Sequence, residues 1–124
     1  MNHQPIAPGQ MMPLGRDAEV MARILKVLAN PDRLKMLCRM GMSDLDDGLR
    51  PTVGEMVNLT GLSQSRVSQH LALLRESGVV APMREGQTVR YRLVDPRIRA
   101  VMEVLCDLCE VGLPPSRLDP VEPA

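Results

Sequence analysis

The run Leu62-Ser63-Gln64-Ser65-Arg66-Val67-Ser68-Gln69-His70-Leu71-Ala72-Leu73-Leu74-Arg75-Glu76-Ser77-Gly78 constrains this chain more than any other. Val67, Leu71 and Leu74 recur at helical spacing, so the segment forms a helix with one core-facing stripe. Ser63 suits the N-cap, where its oxygen accepts from a free backbone N–H, and Gly78 suits the left-handed stop. Upstream, Thr52-Val53-Gly54-Glu55 has the form of a capping box and opens a short helix that Gly61 ends. Two helices joined at Gly61-Leu62 make a helix-turn-helix. Gln64, Ser65, Arg66, Ser68 and Gln69 crowd the leading end of its second helix, and such side chains reach base edges and phosphates.

A formal net charge of zero looks wrong for a nucleic-acid binder until the charges are located. Residues 63–92 hold Arg66, Arg75, Arg84, Arg90 and Arg92 against Glu76 and Glu85. The acidic balance lies on either side, in Asp44, Asp46, Asp47 and Glu55 and in Glu103, Asp107, Glu110, Asp119 and Glu122. Segregation of this kind lets one face attract phosphate while the others repel it.

The rest of the chain fits around the motif. Residues 1–15, without periodicity, form a flexible arm. An apolar stripe of Val20, Ile24, Val27 and Leu28 marks a first helix from Asp17 to about Ala29. Asn30-Pro31 ends it and starts a second, through about Met40, with Asn30 as N-cap and Pro31 at the first helical position. Residues 41–51 form an acidic connector. After the helix-turn-helix, Val79–Arg84 and Thr88–Val94 flank the turn Glu85-Gly86-Gln87, giving a β-hairpin wing with Arg84 and Arg90 near its tip. Pro82 cannot donate to a ladder, so its strand is an edge or is irregular there. Asp95-Pro96 launches the last helix, which fades at Val111-Gly112, and the proline-rich tail 113–124 is disordered. The fold class is mainly α (α+β), a winged helix-turn-helix of order α-α-α-α-β-β-α occupying residues 16–112. The apolar stripes of the first and last helices pack against a symmetry mate, giving a homodimer with paired recognition helices.

With 124 residues, 44% of them hydrophobic, one modest core is affordable in area. Tyr91 is the sole aromatic, so Leu and the ten Met fill that core. No run is long enough to span a bilayer and no signal-peptide pattern opens the chain, which places it in the cytoplasm with no membrane partner. Three Cys in a reducing compartment argue against a disulfide framework.

The sequence resembles the ArsR/SmtB family of bacterial winged-helix repressors over roughly residues 17–111. The resemblance is carried by Leu28-Ala29-Asn30-Pro31-Asp32-Arg33-Leu34, by Leu62 through Leu71, by Leu74-Arg75-Glu76-Ser77-Gly78-Val79-Val80, and by Arg84-Glu85-Gly86 through Tyr91. It implies a dimer on double-stranded operator DNA, an inverted repeat, that a small inducer relieves, with no enzymatic activity. Ser63, Gln64, Ser65, Arg66, Ser68 and Gln69 then contact DNA from the recognition helix, and Arg84, Arg90 and Arg92 contact phosphate or the minor groove from the wing. An ordinary solvated face explains these residues less well, given their clustering. His70 serves equally as a DNA contact or as a structural histidine beside Leu71 and Leu74.

The family's sensor sites narrow the inducer. Some members bind arsenite or cadmium through Cys-x-Cys near the third helix, but Pro51 to Leu59 contains no Cys. Others bind zinc on the last helix, yet here Asp95 is followed by Arg97 where a His is needed, and a guanidinium cannot ligate a metal. Cys38, with a Cys late in the last helix, resembles the sulfide-responsive BigR/SqrR-type branch, in which two thiols form a disulfide or polysulfide bridge and DNA is released. Carried over by position, the pair is Cys38 and Cys106, with Cys109 outside the pattern and a competing partner. No cofactor is implied. Two alternatives stay open: Cys38, Cys106 and Cys109 as a trigonal site for arsenite or another thiophilic ion, and three cysteines as small buried hydrophobes. A thioredoxin-like role for Cys106-x-x-Cys109 fails, because the pair lies near a helix C-terminus beside Asp107 and Glu110, where thiolate is disfavoured.

Overall fold

The computed structural model describes residues 14–45 and 49–120. In chain order these form α1 (Leu14–Leu28), α2 (Pro31–Leu45), α3 (Val53–Thr60), α4 (Gln64–Glu76), β1 (Val80–Glu85), β2 (Thr88–Leu93) and α5 (Pro96–Val111). This is the expected winged helix-turn-helix order. Most of the arm 1–15, the acidic run 46–48 and the end of the tail lie outside the described residues.

Local chemistry starts each helix after the first. Asn30 Oδ1 accepts from the N–H groups of Asp32 and Arg33 at 2.9 and 3.0 Å and so caps α2. Thr52 Oγ1 accepts from Glu55 N–H, Ser63 Oγ from Arg66 N–H, and Asp95 Oδ1 from Arg97 and Ile98 N–H. Each such cap is worth roughly 1 kcal/mol. Gly61, at φ 74°, closes α3 by donating to the Val57 carbonyl, a left-handed position that costs other residues strain.

Several boundaries differ from expectation, among them the start of β1 at Val80 and the end of β2 at Leu93. Helix α1 begins at Leu14, inside the stretch expected to be an arm. Helix α2 continues past Met40 to Leu45 and shortens the connector. Met36, Leu37 and Met40 are completely buried, and the helix runs on through Gly41, which costs ~1 kcal/mol inside a helix. The wing turn is the two residues Gly86-Gln87, with Gly86 at φ 63°, because Glu85 pairs with Thr88 in the ladder.

The two strands make one antiparallel sheet, in which Pro82 opposes Tyr91. Tyr91 N–H points outward to the Pro51 carbonyl at 3.0 Å, so its opposite number faces away from the ladder too and needs no donor. The core joins Leu28, Met36, Leu37, Met40 and Met56 to Val67, Leu71 and Leu74 of α4, Val79 and Val80, Leu93 of β2, and Ile98 and Met102 of α5. Helix α2 is its centre and packs against α1, α3, α5 and β2. Among the described residues no helix is long and apolar enough to cross a membrane.

Candidate nucleic-acid interface and thiol pair

Burial of Val67, Leu71 and Leu74 fixes the rotation of α4. Gln64, Ser65, Arg66, Ser68 and Gln69 are consequently exposed together, with Ser63, the cap, exposed at the helix start. His70 is half-buried at the edge of this face. Arg84 and Arg92 are exposed on the wing.

Arg90 is placed differently from its expected exposed position near the tip. Only 16% of its side chain is accessible. Nη1 donates to the Arg50 carbonyl at 2.8 Å, and the guanidinium lies 3.6 Å from Glu55 and 3.7 Å from Glu85. It joins the wing to the start of α3 rather than projecting from it. Arg33, another arginine whose role the sequence did not reveal, closes the end of α1 by donating to the carbonyls of Val27 and Lys26 at 2.7 and 3.0 Å.

The cysteines lie on α2 and α5. Cys38 and Cys106 are both half-buried, 68 residues apart in sequence, with their Sγ atoms 3.0 Å apart. A covalent S–S bond requires about 2.05 Å, so roughly 1 Å of approach would close one. Cys109, one helical turn on, is exposed. All three line a cleft of about 570 Å³, together with Met42 and Met102. The Cys106 thiol is pushed up to about 12, first by burial, then by its hydrogen bond to Cys38 and by the negative charges of Cys38, Cys109 and Asp107. Cys106 is therefore protonated at neutral pH. Among the described residues no group of three or more His, Cys, Asp or Glu is gathered to hold a metal ion.

Comparison with known proteins agrees with this fold. Residues 30–81 match the model for "Bacterial regulatory protein, arsR family". The chain is 38% identical over 99 residues to the transcriptional activator HlyU of Vibrio cholerae, covering 80% of this chain and 86% of that one. Among solved structures, a DNA-binding transcriptional regulator from E. coli superposes with a TM-score of 0.67 at 32% identity, covering 79% of this chain and 98% of that one. The transcriptional repressor BigR from Xylella fastidiosa superposes with a TM-score of 0.62 at 32% identity, over 77% of this chain and 91% of that one.

Proposed function

The chain belongs to the arsR family of bacterial regulatory proteins, DNA-binding transcriptional regulators and not enzymes, and from that premise we propose that it is a cytoplasmic repressor released from its operator by oxidation of Cys38 and Cys106. The observation that carries the proposal is the 3.0 Å contact between their sulfurs.

The inducer is a small thiol-reactive molecule, an organic persulfide RSSH. Cys106 is held protonated, so the first attack falls to Cys38, whose thiolate takes the terminal sulfur of RSSH and expels RSH. Cys106 then loses its proton, attacks the inner sulfur of the persulfide and displaces H₂S, leaving the Cys38–Cys106 disulfide. Two thiols and RSSH thus give one disulfide, RSH and H₂S.

DNA is bound by a homodimer. Met21 and Leu25 of α1 are 51% and 61% exposed, and Val104 and Leu108 of α5 are 59% and 44% exposed, apolar area that a second copy would cover. Two copies of α4 then face successive major-groove segments of an inverted repeat, about 34 Å apart. Gln64, Ser65, Ser68 and Gln69 read base edges, while Ser63, Arg66, Arg84 and Arg92 engage phosphate and His70 flanks the contact.

The test measures DNA binding after treatment with an organic persulfide, peroxide or arsenite, using wild type and each Cys→Ser variant. The operator probe is a duplex selected from a random pool by the reduced protein. Persulfide release that requires Cys38 and Cys106 but not Cys109 is expected. Release by arsenite that needs all three thiols would replace this function with soft-ion sensing.

A further inference from the structure

Arg39 follows Cys38 on α2, and its Nη2 donates to the carbonyl of Leu49 at 3.1 Å. The next carbonyl, of Arg50, accepts from Arg90 Nη1 at 2.8 Å, and the one after, of buried Pro51, accepts from Tyr91 N–H at 3.0 Å. Thr52 then bridges to Arg90 and caps α3. Three consecutive carbonyls are thus gripped, one by the helix that carries the sensor thiol and two by β2 of the wing. The gripped segment runs without a break into the helix-turn-helix, and Arg90 lies close to Glu55 on α3 as well.

We propose that Arg39 is a positioning residue that couples the thiol pair to the DNA-binding surface, through the segment 49–52 and its clamp by Arg90. This coupling presupposes that oxidation of Cys38 and Cys106 releases DNA. Closing the pair by RSSH, with the loss of RSH and H₂S described above, draws the sulfurs together by about 1 Å. Helix α2 packs on four other elements and moves as a body rather than bending. A shift of that size takes the Arg39 to Leu49 hydrogen bond beyond bonding distance. The bond belongs to the reduced state alone, and only a contact that differs between two states can shift their balance. Once it is lost, segment 49–52 relaxes, and the wing and α3 leave the arrangement in which α4 and the wing arginines contact one duplex together.

The experiment compares the full-length protein, reduced or carrying the isolated Cys38–Cys106 disulfide, on the selected operator duplex, for wild type and Arg39→Met. Methionine keeps an apolar stem and removes the donor. Reduced Arg39→Met is expected to bind about tenfold more weakly than reduced wild type, while the two disulfide forms bind alike. A purely structural role would weaken both states equally and would overturn the coupling. So would an Arg39→Met protein that keeps the wild-type ratio of reduced to oxidised affinity. Amide exchange on wild type supplies a measurement independent of any variant: the Tyr91 N–H should exchange faster in the disulfide form, and equal protection in both forms contradicts the proposal. Wild type that binds equally in both states identifies failure of the thiol switch itself, before any variant is compared.

Discussion

Arg90 Nη1 donates to the carbonyl of Arg50 at 2.8 Å, across 40 residues of sequence, and the bond turns a wing arginine into the fold. Its guanidinium is already occupied by a backbone oxygen and lies beside two carboxylates. Arg90→Met should therefore lower unfolding stability by about 1–3 kcal/mol, the range for a hydrogen bond to a charged group that leaves its partner unsatisfied. Urea denaturation checks the magnitude.

The exposed wing arginines should behave in the opposite way. Arg84→Ala and Arg92→Ala are expected to leave stability within about 0.5 kcal/mol of wild type. Each should reduce the slope of log affinity against log salt concentration by about 0.9, one phosphate contact. Fluorescence anisotropy at several salt concentrations distinguishes this from the Arg90 effect, and unchanged slopes would remove both residues from the interface.

Gln69 is exposed on the leading half of α4, opposite the buried Val67, Leu71 and Leu74. Gln69→Ala should lose about 1–3 kcal/mol of discrimination between the selected operator and a scrambled duplex, with little change on the scrambled one. Equal losses on the two duplexes would mean that Gln69 does not read bases.

Thiol reactivity should depend on the partner. In wild type, iodoacetamide at pH 8 should modify exposed Cys109 well before Cys106, whose ionisation is pushed up to about 12. Cys38→Ser removes the Cys38 thiol hydrogen bond and the Cys38 charge, two of the causes of that rise, so Cys106 labelling should accelerate by about tenfold. The same rise has a stability consequence with a definite sign. Between the ordinary thiol value of 9.0 and about 12, the unfolded chain ionises while folded Cys106 does not, so stability present below pH 9 is lost as pH increases through that window. Cys106→Ala should flatten this decline in denaturation measured from pH 8 to 11.

How much was legible in the sequence follows from the reach of each interaction. The caps at Asn30, Thr52, Ser63 and Asp95 act over two or three residues, so residue type and position sufficed to locate the starts of α2, α3, α4 and α5. The stripe of α4 was equally local, and it determined which polar residues face outward. The end of α2 was not, since Gly41 and the polar residues after it carry the composition of a turn and the helix nevertheless runs through them to Leu45. Arg90 alternates with apolar residues as a surface strand residue does, and nothing near it in sequence announces the Arg50 carbonyl. Cys38 and Cys106 became a candidate pair through family resemblance, because contact across 68 residues leaves no periodic trace.

The central claim is that one disulfide, between Cys38 and Cys106, separates the DNA-bound from the released protein. Its most direct test is a time course in which an organic persulfide is added to the repressor–operator complex, with DNA dissociation followed by anisotropy and the same aliquots digested for peptide mass spectrometry. The account predicts that the cross-linked Cys38 and Cys106 peptides, lighter by two hydrogens than the separate thiols, accumulate in step with released DNA and that Cys38→Ser protein stays bound. Release that runs ahead of the cross-link, or that persists in Cys38→Ser, would contradict it.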